Sequence, residues 1–222
     1  MNKSAKKIEW VVWGGLVLIM AVIGGAFAWT KLHDSGRPLP VICQIPAFNL
    51  TNQDNEPVTL ASLRGQVWIA DIIFTRCPGP CAKMTRELAK LQAALPGGEP
   101  VRLVSLTSDP DYDTPAKLKT YAGKFGADSN RWWFLTGNRK EIRSLAVNDF
   151  KFVVIEKAPE QREIPEDLFI HSTWFVLVDR QGRLRGWTDR DGRLHAKFDL
   201  EDADVQAQML SAIKQLLKEP AI

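Results

Sequence analysis

The chain has no internal repeat, no low-complexity tract and no basic stripe interleaved with aromatic residues. These absences exclude a repeat array, a disordered polar segment and the electrostatic footprint of nucleic-acid binding. Charge is nearly balanced: 29 Lys and Arg against 26 Asp and Glu leave +3 over 222 residues. No nucleic-acid partner is therefore expected. Cysteine is sparse, with three residues, and two of them lie in one stretch, FTRCPGPCAKMT at 74–85. What is present is 45% apolar and 25% charged, the composition of one core-forming domain with an appendage.

The appendage is N-terminal. Residues 10–29, WVVWGGLVLIMAVIGGAFAW, carry no charge. At ~1.5 Å rise per residue, ~20 residues span a hydrocarbon core of ~30 Å. Lys3, Lys6 and Lys7 precede the run, and Trp10 and Trp29 close it as interfacial anchors do. The pattern predicts an N-terminal transmembrane helix, residues 1–30, in the inner (cytoplasmic) membrane. The positive-inside rule puts its N-terminus inside and the soluble domain on the extracytoplasmic, periplasmic side. A cleaved signal is the competing reading, because Ala26-Phe27-Ala28 suits cleavage, but the run exceeds the ~7–15 residues of a signal core. Both readings place the domain where disulfides persist.

Gly36, Pro38 and Pro40 mark residues 31–44 as a linker, followed by a domain over 45–222. Residues 48–60 read as two short strands about a polar turn at 52–55. QVWIADIIF, 66–74, is near-continuously apolar and predicts a central strand buried on both faces. The cysteine stretch follows directly. Met84, Leu88, Leu91 and Leu95 then recur at helical spacing, with Pro80 in the first turn and Gly97-Gly98 as the stop. Residues 101–108 form a second buried strand, and Thr114 as N-cap with Pro115 opens another helix. A helix over 138–147, a strand in FKFVVIE, a polar loop KAPEQREIPEDLF free to move, a hairpin about Gln181-Gly182 and a helix over 202–217 complete the order. Alternating strands and helices predict an α/β fold with helices on both faces of the sheet. The cysteine pair at a strand-to-helix turn makes the expected arrangement thioredoxin-like.

Cys77 and Cys81, with three residues between them, admit three readings: a structural disulfide, a redox pair, or two arms of a metal site. So short a closed loop removes little unfolded-chain entropy, which weakens the first. Unpaired N–H groups and the positive dipole end at a helix start stabilise thiolates, and the thiolate is both nucleophile and ligand. Asp71, six residues before Cys77, interrupts a strand that reads as buried, where a carboxylate is costly unless paired. Thioredoxins carry an acid at this offset behind their cysteines, so Asp71 is a candidate proton acceptor. An acid at a strand edge, bound to a Lys or a backbone amide, is the plain alternative.

His171 stands before the strand TWFVLVD, where thioredoxin-like reductases have a proline. Two thiolates and an imidazole form a soft set suited to Cu(I), and the nitrogen also admits Cu(II). Zinc would call for a fourth ligand. Cys77, Cys81 and His171 are thus the candidate metal ligands, with Cys77 and Cys81 also the candidate redox pair. Cys43 reads as an unreactive linker thiol, and His33 and His195 as surface residues. DPDYDTP lacks the glycine and glutamate of a calcium loop and reads as a helix cap, with Asp109 and Asp113 available to a docking partner.

Four segments, ADIIFTRCPGPCAKMTRELAKLQ, LTSDPDYDTPAKLKTYAGKFGA, WWFLTG and IHSTWFVLVDRQGRLRG, together resemble the Sco/SenC family over almost the whole soluble domain. The combination of a C-P-x-x-C turn, a D-P-x-x-D-T-P block and a histidine before V-D-x-x-G-x-x-R-G is specific. The resemblance implies a membrane-tethered, thioredoxin-like copper chaperone holding copper through Cys77, Cys81 and His171. It implies a role in assembling the CuA centre of cytochrome c oxidase subunit II, with an upstream copper donor or a thiol reductase as a further partner. Members differ: some donate copper, some mainly reduce the CuA cysteines and some signal redox state. A thiol–disulfide oxidoreductase, or a redox sensor oxidised at Cys77, is therefore the competing function. One departure is Gly79-Pro80, where many members carry an acid after C-P.

Overall fold

A computed structural model describes residues 3–34, 38–95, 97–189 and 191–220. They fall into two compact units, Met1–Pro38 and Leu39–Ile222. The first is helix α1 (Lys3–Asp34), which exposes Trp10, Leu16, Ile19 and Ile23 among other apolar side chains. Among the described residues no helix is long and apolar enough to cross a membrane. The transmembrane expectation thus rests on the charge-free run of the sequence alone. The His33 side chain lies outside the described residues.

The second unit runs β1 (Val41–Gln44), β2 (Asn49–Thr51), β3 (Pro57–Thr59), α2 (Leu60–Leu63), β4 (Val67–Ile73), α3 (Cys81–Ala94), β5 (Val101–Thr107) and α4 (Pro115–Lys124). It continues through β6 (Trp132–Leu135), α5 (Arg139–Ser144) with a π-helical turn at Leu145–Asp149, β7 (Val154–Glu156), β8 (Phe169–His171), β9 (Val176–Val178) and β10 (Arg183–Arg185). The last elements are β11 (Trp187–Thr188), β12 (Leu194–His195) and α6 (Ala203–Lys218). The main sheet has the order β1-β10-β9-β4-β5-β6. Strands β4, β5 and β6 are parallel, while β9, β10 and β1 are added antiparallel.

β4 lies inside the sheet with all seven residues buried, which is why its sequence lacks polar alternation. Successive side chains point to opposite faces. Trp68 meets Phe150, just beyond α5, edge to face at 5.6 Å. Asp71 points the other way, toward the side of α3 and α4, which are joined by a 2.9 Å bond between Thr85 and Tyr121. Helices thus cover both faces, as expected. Thr114 accepts from the Lys117 N–H with Pro115 in the first turn of α4, and Asp202 caps α6.

The chain enters the sheet earlier than expected. Val41–Gln44 is an edge strand on β10 with an irregularity between Val41 and Cys43, so residues 41–44 are not linker. Pro38 and Pro40 exclude helix but are tolerated beside an edge strand. The segment 157–168 is also more ordered than expected. It holds a short 3-10 turn at Pro159–Gln161, a Lys157–Asp167 ion pair and two bonds from Arg162 to the Lys157 carbonyl.

Candidate functional site

Each of the three expected ligands comes from a different kind of backbone. Cys81 begins α3 and is 1% exposed. Cys77 is half-buried on the irregular turn between β4 and α3, its N–H bonded to the Phe74 carbonyl at 3.2 Å. His171 ends β8, where Val154 is its cross-strand partner. As expected, the histidine precedes the strand of TWFVLVD, β9; it also ends a two-stranded hairpin, β7–β8, that was not expected there.

The topology brings these residues together. His171 Nε2 is 3.0 Å from Cys81 Sγ and 3.9 Å from Cys77 Sγ, and the three ligand atoms lie within 4.8 Å of one another. The other ring nitrogen, Nδ1, is 2.9 Å from the Ser172 carbonyl oxygen. A carbonyl only accepts, so Nδ1 carries a proton and Nε2 is the ring nitrogen that faces the sulfurs. Nε2 is thus the atom positioned for a metal, and the backbone bond orients the ring. Phe74 packs edge-on against the imidazole at 5.7 Å and against Phe169 at 5.4 Å, which restricts ring rotation.

The two thiols differ electrostatically. Cys77 is drawn down to about 4, chiefly because the Cys81 thiol donates to it, with His171 and the backbone N–H groups of Cys81 and Gly79 adding to the effect against burial. Cys81 is pushed well above its ordinary value by burial first and then by Cys77. The helix start therefore favours a thiolate at Cys77 only; burial overrides it at Cys81, although Cys81 is the residue inside the helix.

Asp71 is fully buried, with neither oxygen in a full hydrogen bond. It stands opposite Ser105 in the β4–β5 register. Burial pushes it up to about 7, partly offset by Ser105 and His171. Among the described residues neither an ion pair nor a full hydrogen bond from a backbone amide holds it, so the reading of an acid bound to a Lys or a backbone amide is not the one observed. Burial pushes Tyr121 well above its ordinary pKa. Its hydroxyl donates to Thr85 Oγ1, which donates to the Cys81 carbonyl at 2.8 Å. Sequence reasoning missed Ser172, Phe74, Phe169, Thr85 and Tyr121 as supports of the site. Ser172 acts through its backbone, which leaves no signature in residue type.

The remaining candidates lie elsewhere. Cys43 is half-buried on β1 with Sγ 3.5 Å from the Asp149 carbonyl. His195 pairs with Asp189 at 2.8 Å and stacks on Trp187 at 4.4 Å. Asp109 and Asp113 are 3% and 0% exposed, so neither is a surface for a partner.

A thioredoxin-like sheet with a cysteine pair at its strand-to-helix turn and a histidine beside both sulfurs makes a thiol–imidazole site that could hold a metal ion. The SCO1/SenC family description matches residues 43–214, and the chain belongs to that family. It is 36% identical to the SCO1 protein homolog of Bacillus subtilis over 204 residues, 91% of this chain and 97% of that protein. It is 32% identical to a protein of Stutzerimonas stutzeri described as a putative copper-binding protein, over 67% of this chain and 70% of that one. The solved structure of BsSco, described as a member of the Sco family of cytochrome c oxidase assembly proteins with a disulfide switch, is 30% identical. It covers 82% of this chain and 98% of its own, with a TM-score of 0.65.

Proposed function

We propose that this protein carries copper on Cys77, Cys81 and His171 and delivers it to the CuA site of cytochrome c oxidase subunit II. The observation that carries this reading is the convergence of two sulfurs and one imidazole nitrogen within 4.8 Å. Such a set suits Cu(I), with the nitrogen extending it to Cu(II). The copper-binding description of the Stutzerimonas stutzeri relative and the oxidase-assembly description of BsSco point the same way.

In this mechanism Cys77, already a thiolate, takes the metal first. Cys81 gives up its proton on coordination, with Asp71 as the nearby acceptor, and His171 adds its Nε2 lone pair. Three ligands leave the cargo open to an incoming thiolate. The partner's cysteine enters on the side of Cys77, since Cys81 is closed off at 1% exposure. The charge-free run at 10–29 anchors the chain in the inner membrane, so that transfer occurs on the periplasmic face. The test is to incubate copper-loaded protein with apo-subunit II and follow CuA absorption. CuA formation supports the reading, and subunit II that is reduced but never metallated contradicts it.

A second reading, thiol–disulfide exchange with the CuA cysteines, is favoured by the low Cys77 thiolate and by Asp71, which is poised near neutrality beside the buried thiol. Reduction of subunit II by metal-free protein distinguishes it.

A further inference from the structure

Cys81 is fixed by a helix and His171 by a strand, but Cys77 sits on irregular backbone. Its position must be set from outside its own turn. Two buried carboxylates on the loop between β5 and α4 reach the two residues immediately before it. Asp113 accepts from the Thr75 N–H at 3.1 Å and from the Thr75 hydroxyl. It also accepts from Thr107 on β5. Asp109 accepts from Arg76 Nε at 2.8 Å.

The holder is itself rigid. Thr107 Oγ1 accepts from the Asp109 N–H at 3.0 Å. The Asp113 N–H bonds the Asp109 carbonyl at 2.8 Å, and the Ser108 N–H bonds the end of β4 at Ile73 O, also 2.8 Å. Arg76 is further held over the Tyr112 ring at 4.2 Å. A carboxylate accepting three hydrogen bonds at zero exposure is over-determined in position, which is what a reference point for a flexible neighbour requires.

We propose that Asp113, with Asp109, is a positioning residue for Cys77: it acts through Thr75 and Arg76 to hold the Cys77 sulfur at reacting distance from Cys81 and His171. The acids of D-P-x-x-D thus serve the site from behind, neither binding metal nor capping α4, whose cap is Thr114. The copper half of the inference rests on the copper-carrier reading; the thiol half does not.

The test uses the full chain and four variants, three single changes and the double change Asp113→Asn with Thr75→Val. Asp113→Asn and Thr75→Val each weaken the tether, while Thr114→Ala removes the α4 cap on the same loop without touching it. One readout is the Cys77–Cys81 dithiol–disulfide equilibrium, in which oxidised dithiothreitol takes up the pair's two electrons, the Cys81 proton and one proton from solvent. The other is the sulfur-to-Cu(II) charge-transfer band. Weakening a hydrogen bond to this buried carboxylate is expected to shift the equilibrium roughly tenfold or more for Asp113→Asn. Thr75→Val shifts it in the same direction, and the double variant shifts it no further than Asp113→Asn, because both act through one contact. Thr114→Ala lowers Tm but leaves equilibrium and band unchanged. Thr75→Val keeps the other bonds of Asp113 and carries the test if Asp113→Asn does not fold. Folded Thr75→Val with wild-type equilibrium and wild-type band overturns the proposal. If wild-type protein takes up no copper, the carrier reading fails while the disulfide equilibrium still decides the tether.

Discussion

His171 Nε2 lies 3.0 Å from Cys81 Sγ, an imidazole nitrogen set directly against a buried thiol that burial pushes above its ordinary pKa. The bond from Nδ1 to the Ser172 carbonyl fixes the orientation of the ring. On the proposed copper-carrier reading, loading would require loss of the Cys81 proton and little movement of the ring.

The unequal thiols predict unequal reactivity. In reduced, metal-free protein, iodoacetamide alkylates Cys77 at a rate nearly constant from about pH 5 to 8 and falling below that, as a thiolate with a pKa of about 4 requires. Cys81 stays unmodified over the same range. A Cβ at Gly79 meets no atom within 4 Å, so Gly79→Asp fits. Its carboxylate raises the Cys77 pKa and slows alkylation at pH 5. Equal rates at the two cysteines would contradict the assignment.

Asp71 predicts a pH-dependent stability with a definite sign. Its folded pKa of about 7 lies above its ordinary 3.8, so its contribution is fully present below about pH 4 and is lost as pH rises through about 7. Asp71→Asn removes this dependence. The variant gains stability relative to wild type between pH 4 and 7, on the order of 4 kcal/mol at the upper end, at about 1.4 kcal/mol per pKa unit. Urea unfolding at pH 4.5 and pH 8 measures it. A stability difference that does not change with pH sinks the idea. The same variant slows thiol exchange at Cys81 if Asp71 accepts its proton.

Arg185 predicts a stability effect separate from the site. It is 3% exposed and bonds Asp179 at 2.7 Å, Glu219 at 2.7 Å and the Leu39 carbonyl at 2.6 Å. The residue ties β10 to the C-terminal end of α6 and to the entry of the chain. Removing one member of a buried ion network costs ~3–5 kcal/mol. Arg185→Ala should lose about that much in denaturant unfolding. Its copper spectrum stays that of the wild type, since β10 lies two strands from β4.

Much of the site was legible because its chemistry resides in rare side chains at informative offsets. The cysteines flank the start of an apolar-periodic helix, and the lone histidine in its region precedes a buried strand. Asp71 stood out as a charge in an apolar run. Strand β1 was missed because four residues after two prolines carry no periodicity; its pairing with β10 comes from distant sequence. The role of Asp109 and Asp113 was missed for a related reason. A capping acid and a buried acid tethering a neighbouring loop are the same letters, and only the crossing of the β4–α3 and β5–α4 turns separates them. The unequal thiols were likewise out of reach, since Cys81 and Cys77 differ in burial, which spacing does not encode.

The most direct measurement is X-ray absorption at the copper edge of the loaded protein, wild type beside His171→Ala, with Cu(I) affinity determined for both. The account predicts one copper per chain, bound by two sulfurs and one nitrogen. Removing a ligand should weaken binding beyond the ~10–100-fold that loss of a mere supporting contact produces, with the nitrogen scatterer gone. Wild-type protein that binds no copper, or a His171→Ala variant with unchanged affinity and an unchanged nitrogen shell, would contradict it.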